Sequence, residues 1–238
     1  MASIAGNARA VRDRADAAAR RSGRNPAEVR LVAVTKAVPD GRILEAIDAG
    51  LRVFGENYVQ EATRKIAAVA RERPDLASGI AWHFIGTIQR NKARHAVGAF
   101  EVIHSVDSIA LAREIDKRAQ AIGRTQRILL EVNVGGEATK TGFTPEAALA
   151  EAPAIDALAR LRLLGLMAVP PAAEDPEKSR QRFRALRELR DEIRRRGAAG
   201  EAFRDLSMGM THDFEVAIEE GATWIRVGTA IFGERPSV

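Results

Sequence analysis

The stretch VRLVAVTKAVP, residues 29–39, begins as a run of apolar and β-branched residues with the length of a buried strand. A Pro-Asp-Gly triplet at residues 39–41 ends it, because proline and glycine interrupt regular structure. Alternation along the strand places Lys36 on the same face as Val32 and Val34. Two interpretations of this lysine stay open from the segment alone. It reaches solvent at the strand end, or it is a desolvated amine able to form a Schiff base.

Seven further apolar segments follow, and patterns typical of helices separate them, among them residues 88–98 and about residues 211–221. Counted with the first, the strand centres fall at Leu31, Val53, Phe84, Val102, Leu129, Leu164, Leu206 and Ile225. An α/β chain with eight such units closes most naturally into a parallel barrel. We therefore predict an α/β fold, a single parallel (β/α)8 TIM-type barrel over residues 1–238 with an extra N-terminal helix at residues 2–21. The alternative is an open doubly wound sheet, but it would carry a glycine fingerprint where Lys-Ala-Val-Pro follows the first strand.

The composition narrows the class of protein. The 238 residues include no cysteine, which excludes disulfides, thiolate metal sites and cysteine nucleophiles and is compatible with the cytoplasm. The N-terminal segment lacks the apolar core of a signal peptide, and no run approaches the ~20 apolar residues of a membrane span. We therefore expect a soluble cytoplasmic protein without a membrane partner. The net charge of +5 leaves open an anionic partner, but the arginine-rich residues 178–197 carry an apolar seam that favours a solvated outer helix over a nucleic-acid interface.

In a barrel of this kind the carboxyl ends of the strands form one mouth, where active sites lie. Polar residues stand at these ends: Lys36, Glu56, Asn57, His83, His104, Ser105, Asp107, Asn133, Ser207, Thr211, Arg226 and Thr229. Most of them are explained simply as the beginnings of loops. Arg226 is not, because Trp224, Ile225 and Val227 flank it within a strand, where a permanent charge needs a partner.

The loops after the last two strands have the composition of a phosphate site. Barrels frequently bind phosphate on loop amides there. Met-Gly-Met-Thr at residues 208–211 and Val-Gly-Thr at residues 227–229 supply small residues and hydroxyls, although neither is a P-loop. Other chemistries have less support. The four histidines lack a metal-binding spacing, so we expect no metal, and no Gly-x-Ser-x-Gly motif occurs.

A lysine that ends the first strand, an arginine in the eighth and a phosphate cradle beside it are the parts of a pyridoxal 5′-phosphate site. Nearly end to end, the sequence resembles the pyridoxal phosphate homeostasis protein family, which is similar to the N-terminal barrel of alanine racemase (fold type III of pyridoxal phosphate proteins). The motifs that carry the resemblance are LVAVTKAVP, FGENYVQE, WHFIGTIQRNK, SVDS, EVNVGGEATKTGF, GLMAVPP, LSMGMTHDFEVAI and WIRVGTAIFG. Two departures occur. Thr211 stands where the family usually has serine, which keeps the hydroxyl, and residues 212–214 change the start of the following helix.

The resemblance implies a role for eight residues. Lys36 would form the Schiff base with the cofactor, Asn57 would lie near its phenolic oxygen, and His83 would lie near its ring. The phosphate would be held by four residues of the last two strands and their loops: Ser207, Thr211, Gly228 and Thr229. Arg226 would face the pyridine nitrogen, where a cation disfavours protonation and makes the ring a weaker electron sink.

The resemblance also implies a function without turnover. We expect a monomer that is not an enzyme, holds pyridoxal phosphate on Lys36, supplies or buffers it, and serves apo-enzymes that use it. The alternative is an amino-acid racemase-like enzyme, and residual activity of that kind stays open. Racemases of this fold take a second acid/base group, a tyrosine, from a C-terminal domain that we do not find in this sequence, and the only tyrosine here, Tyr58, has no obvious claim to that role. A nucleic-acid-binding function has only the basic charge behind it.

Overall fold

The computed structural model of the protein describes residues 3–137, 141–171 and 174–234. Within them eight strands form one sheet: β1 (Arg30–Val34), β2 (Val53–Glu56), β3 (Ala81–Phe84), β4 (Val102–Val106), β5 (Gln126–Glu131), β6 (Leu161–Met167), β7 (Asp205–Ser207) and β8 (Trp224–Val227). Each strand pairs in parallel with its neighbours in chain order, and β8 pairs with β1 to close the barrel. The predicted barrel is confirmed, and the alternative of an open doubly wound sheet is wrong.

Helices alternate with the strands around the outside of the barrel. In the part of the chain that the structure describes they are α1 (Ile4–Arg21), α2 (Asp40–Asp48), α3 (Val59–Glu72), α4 (Ala93–Ala96), α5 (Ile109–Ala121), α6 (Pro145–Asp156), α7 (Arg180–Arg195), α8 (Phe214–Glu219) and α9 (Thr229–Phe232). The predicted N-terminal helix is α1. None of these helices is both long and apolar enough to cross a membrane.

Two helices are shorter than their sequence patterns predicted. The pattern at residues 88–98 gives only a 3-10 turn at Arg90–Lys92 and the single turn α4, which is followed by Gly98 with a φ of 82° and an N–H that donates to the Gln126 side chain. The helix predicted from residue 211 begins at Phe214. The N–H of Met210 donates to Asp213 Oδ1 at 2.8 Å, and this bond holds residues 210–213 as a turn.

Helix α1 fills a gap in the ring of helices. In the described residues after β8 there is only the single turn α9, which is too short to cover the junction of β8 and β1. Helix α1 contacts α2, α8 and α9 and buries Ile4, Ala8 and Val11 on one face. Asn7 Nδ2 donates to the Ile231 carbonyl at 2.9 Å, so the first helix is tied to the last.

The strand register shows which side chains face the lumen. Val32 of β1 pairs with Arg226 of β8, and Gly55 of β2 pairs with His83 of β3. Registered residues share one face of a sheet, and here that face is the inside of the barrel. Apolar side chains fill part of the lumen as a small cluster separate from the main core: Val102, Leu129, Met167 and Leu164. The lumen therefore combines an apolar plug with polar residues from β3 and β8.

Candidate functional site

The predicted amine lies at the mouth of the barrel. Lys36 lies in the turn that begins one residue after β1, and it is half-buried. Strand β1 lies between β2, which Asn57 directly follows, and β8, which Gly228 directly follows. Because the carboxyl ends of parallel strands share one rim, the fold brings these three predicted residues to neighbouring strand ends.

A chain of hydrogen bonds crosses the lumen from β8 to β3. Arg226 donates from Nη1 to Ser207 Oγ at 2.6 Å and from Nη2 to the Ala168 carbonyl at 2.9 Å. Ser207 Oγ lies 2.8 Å from His104 Nδ1, and His104 Nε2 lies 3.0 Å from His83 Nδ1. All four side chains are buried, and the most accessible, Arg226, is 4% exposed. The partners of the strand arginine are thus a hydroxyl and a carbonyl.

The arginine sets the direction of this chain, because a guanidinium only donates. Ser207 accepts from Arg226, so its own hydrogen is satisfied when it is donated to His104 Nδ1. His104 then carries its proton on Nε2 and donates it to His83 Nδ1, which leaves the proton of His83 on Nε2. That nitrogen is buried and has no hydrogen-bond partner among the described residues. The His83 ring stands edge-on to Trp224, with 4.9 Å between the ring centroids.

Burial keeps both imidazoles neutral. Desolvation lowers the pKa of His83 to about 3 and brings the pKa of His104 well below its ordinary value. Desolvation also lowers the pKa of Arg226 to about 10, which leaves the guanidinium charged at neutral pH. Within the described part of the lumen, two uncharged rings therefore lie beside the charged Arg226.

A cavity of about 240 Å³ lies at the mouth, beside the ends of β2 and β5, and its lining includes Asn57, Glu131 and Thr141. Asn57 Oδ1 and Glu131 Oε2 are buried and have no hydrogen-bond partner within the described ranges. Desolvation, followed by the charge of Asp107, raises the pKa of Glu131. Buried polar atoms are normally hydrogen-bonded, so this cavity has the character of a polar binding site.

A close contact between two loops fixes the position of Asn57. A Cβ atom at Gly86 would lie 2.4 Å from the Asn57 carbonyl oxygen, so only glycine fits after β3. The Gly86 carbonyl in turn accepts a hydrogen bond from the buried Ser105 hydroxyl. Strand β4 thus supports the β3 loop, which packs on the backbone of Asn57.

The loops after β7 and β8, predicted to hold phosphate, pack against each other. The backbone of β8 donates to the Gly209 carbonyl at 3.0 Å, and the N–H of Ala230 donates to Thr211 Oγ1 at 3.4 Å. Gly228 is buried at the end of β8, and Thr229 is exposed. Three of the four predicted phosphate residues, Thr211, Gly228 and Thr229, therefore lie together at one edge of the mouth.

Ser207 lies apart from those three. Its hydroxyl is fully buried and bonded to Arg226 and His104 inside the barrel, and its contact with phosphate stays a prediction. Sequence reasoning gave His104 no role in the site and missed Glu131. The signal for Glu131 was present, because a carboxylate within the apolar strand RILLEVNV is as unusual as the arginine of β8.

The class of protein follows from the similarity of this chain to known proteins. The sequence model of the family described as "Alanine racemase, N-terminal domain" matches residues 6–236. The barrel and its mouth are thus of the alanine racemase N-terminal type.

Closer relatives give the family. The pyridoxal phosphate homeostasis protein of Aquifex aeolicus is 47% identical over 225 residues, which cover 94% of this chain and 95% of that protein. Its counterpart in Pseudomonas aeruginosa is 44% identical over 235 residues, covering 99% and 97%. The solved structure of PipY from Synechococcus elongatus PCC7942 with pyridoxal phosphate bound is 38% identical, covers 92% of this chain and all of that one, and has a TM-score of 0.78. The chain belongs to the pyridoxal phosphate homeostasis protein family.

Proposed function

We propose that this protein binds pyridoxal 5′-phosphate through a Schiff base on Lys36 and holds, buffers or supplies the cofactor without turnover of its own. The observation that carries the proposal is the position of Lys36, half-buried at the mouth between the strand ends of Asn57 and Gly228. Relatives named for pyridoxal phosphate homeostasis, and the cofactor in the PipY structure, support it. The receivers are apo-enzymes that use the cofactor, and the protein acts as a cytoplasmic monomer.

The residues at the mouth fit the chemical groups of the cofactor. The amine of Lys36 suits an aldehyde, and the buried Asn57 Oδ1, which has no partner among the described residues, can accept a hydrogen bond from a phenolic hydroxyl. Thr211, Gly228 and Thr229 offer hydroxyls and backbone N–H groups to a phosphate. The amine, the amide and the phosphate residues come from the ends of different strands at one rim. This arrangement suits the separate aldehyde, phenolic and phosphate groups of one small aromatic molecule.

Arg226 suits storage better than turnover. When bound, pyridoxal phosphate supplies an aldehyde that condenses with an amine, and a ring that withdraws electrons more strongly when its nitrogen is protonated. Arg226 cannot accept a hydrogen bond and stays charged at neutral pH, so beside the ring nitrogen it opposes protonation. In this proposal His83 acts on the cofactor ring indirectly. It bonds to His104, His104 bonds to Ser207, and Ser207 holds the guanidinium of Arg226 in place.

The first test locates the cofactor on the chain. The amine nitrogen of Lys36 bonds to the aldehyde carbon with loss of water, and borohydride reduces the new C=N bond to a stable amine. We expect the reconstituted protein to absorb as a protonated Schiff base and the reduced adduct to map to the peptide of Lys36. Lys117→Met, which removes an exposed lysine of α5, should behave as the wild type. An adduct of the wild type that lies mainly on another lysine contradicts the proposal.

The second candidate function is an amino-acid racemase. One observation keeps it testable: Tyr58 directly follows Asn57, is 64% exposed, and lines a groove that Asn57 also lines. We expect conversion of L-alanine to D-alanine by the loaded protein to equal that of free cofactor, and Tyr58→Phe to change nothing. Sustained turnover above the free cofactor, lost in Tyr58→Phe, would establish the racemase and overturn the carrier.

A further inference from the structure

A fully buried lysine lies behind the turn that carries Lys36. Lys65 stands on α3 among Ala62, Ala68 and Val69, the residues that pack this helix on the barrel, and its side chain is 0% exposed. An apolar residue would complete this face of the helix, and a buried charge costs free energy that an apolar residue of similar size avoids. The lysine therefore calls for a reason other than packing.

Lys65 has a complete set of acceptors. Its Nζ atom donates to Glu56 Oε1 at 2.8 Å, to Glu61 Oε1 at 2.6 Å and to the carbonyl oxygen of Thr35. Three acceptors match the three N–H bonds of an ammonium group. Because Glu56 ends β2 and Glu61 lies one helical turn before Lys65, the cluster joins β2 and α3 to the residue that follows β1.

The same cluster holds the chain on both sides of Lys36. On the N-terminal side, Thr35 accepts from Lys65 and donates its hydroxyl to Glu56 Oε1 at 2.6 Å. On the C-terminal side, the N–H of Ala37 donates to Glu61 Oε1 at 2.8 Å. Ala37 has a φ of 57°, a left-handed conformation that an alanine adopts rarely and that surrounding contacts must maintain.

We infer that Lys65, Glu56 and Glu61 form a positioning cluster that fixes the backbone on either side of Lys36 and so aims its amine at the aldehyde of a cofactor held by the rest of the mouth. This inference rests on the proposed role of Lys36. The cluster acts on Lys36 through the backbone of Thr35 and Ala37. Its effect is to limit the orientations of the Lys36 amine before the reaction, because a misplaced reacting atom lowers the rate even where every contact residue is intact.

The test compares two aldehydes on the same amine. Pyridoxal phosphate binds the mouth and depends on the aim of the amine, whereas propanal reacts with an amine in any orientation. For each variant, the rate at which the reducible adduct forms on Lys36 is measured with both aldehydes, and their ratio is taken. In Glu61→Ala, which frees the N–H of Ala37, we expect the ratio to fall about tenfold or more. Glu61→Gln keeps an oxygen acceptor and should recover most of the loss, and Glu72→Ala, an exposed change on the same helix, should match the wild type.

Lys65→Met provides the stronger perturbation. It leaves Glu56 without its ammonium partner and lowers stability, so its ratio is read at a temperature where circular dichroism shows a folded protein. A wild-type ratio in folded Lys65→Met and in Glu61→Ala would overturn the positioning role. A wild-type protein that forms no adduct on Lys36 would instead overturn the proposed function, so the two failures are distinct.

Discussion

Acidification from pH 7 to pH 5 should lower the free energy of unfolding by roughly 2 kcal/mol through His83 alone. His83 is 1% exposed, and desolvation lowers its pKa to about 3 in the folded protein, against about 6.5 in an unfolded chain. His104 is fully buried, and its pKa is shifted in the same direction. At pH 5 His83 gains a proton on unfolding that it does not carry in the closed barrel, and His104 adds to the change in the same direction.

The sign of the change in stability with pH follows from which state, folded or unfolded, binds the proton. Well above pH 6.5 neither state protonates these rings, so they give no pH dependence there. Between pH 6.5 and about 3 the unfolded chain binds protons that folded His83 does not, and stability falls as the pH falls. Paired carboxylates such as Glu219, whose pKa is lowered by its bond with Arg180, lose their contribution only at more acidic pH. Burial raises the pKa of Glu56 and of Glu131, and these two carboxyls act in the opposite direction, so the contribution of His83 is read from the difference between the wild type and a variant without it.

The measurement is urea unfolding at pH 7, 6 and 5. His83→Leu should flatten the dependence on pH, whatever its own effect on stability at pH 7. His95→Gln removes an exposed imidazole and should keep the wild-type dependence. Parallel curves for the wild type and His83→Leu would mean that His83 is protonated, or reached by solvent, in the folded barrel.

Replacing Gly165 by alanine should cost at least about 3 kcal/mol of stability or prevent folding. Gly165 lies in β6 with a φ of 155°, and a Cβ atom there would stand 1.9 Å from the carbonyl oxygen of Asp205 on β7. The Asp205 carbonyl belongs to the backbone, so it cannot rotate out of the way as a side chain could. The Asp205 side chain also accepts from Trp224 Nε1 at 2.9 Å, so a shift of β7 would reach β8 and the closure of the barrel.

A matched glycine offers the control for this substitution. Gly41 in α2 has no positive φ, and apart from its chain neighbours and the backbone of its own helix no heavy atom lies within 4 Å of the place that an alanine methyl group would take, so Gly41→Ala should be neutral or slightly stabilising. Chemical denaturation of both variants gives the comparison. A Gly165→Ala protein as stable as Gly41→Ala would show that β6 and β7 can separate without loss of pairing.

The sequence predicted the strands well because each is a short apolar run ended by a loop signal. All eight predicted strand centres fall within the observed strands. Helices were harder where a turn competes with the helical pattern, as at Gly98 and Asp213. Those outcomes depend on single backbone and side-chain hydrogen bonds to partners that periodicity does not reveal.

The site was predictable only in part, for the same physical reason. Lys36, Asn57 and Arg226 stand at or in strands of one barrel, so topology alone brings them to a common mouth or lumen. Lys65 could not be found in this way, because a lysine within an amphipathic helix reads as exposed. Its burial depends on Glu56, nine residues earlier in the chain, and only the folded contact brings the two within 2.8 Å.

The first and last elements of the chain contact each other, and this affects folding during synthesis. Strand β1 needs β8 as a neighbour, and α1 needs α8 and α9, so residues 4–34 emerge from the ribosome long before their partners at residues 214–232 exist. Contacts between segments so distant in sequence form slowly, and apolar surface stays uncovered meanwhile. The nascent chain is therefore most prone to aggregate, and most dependent on chaperones, until its eighth strand has been translated.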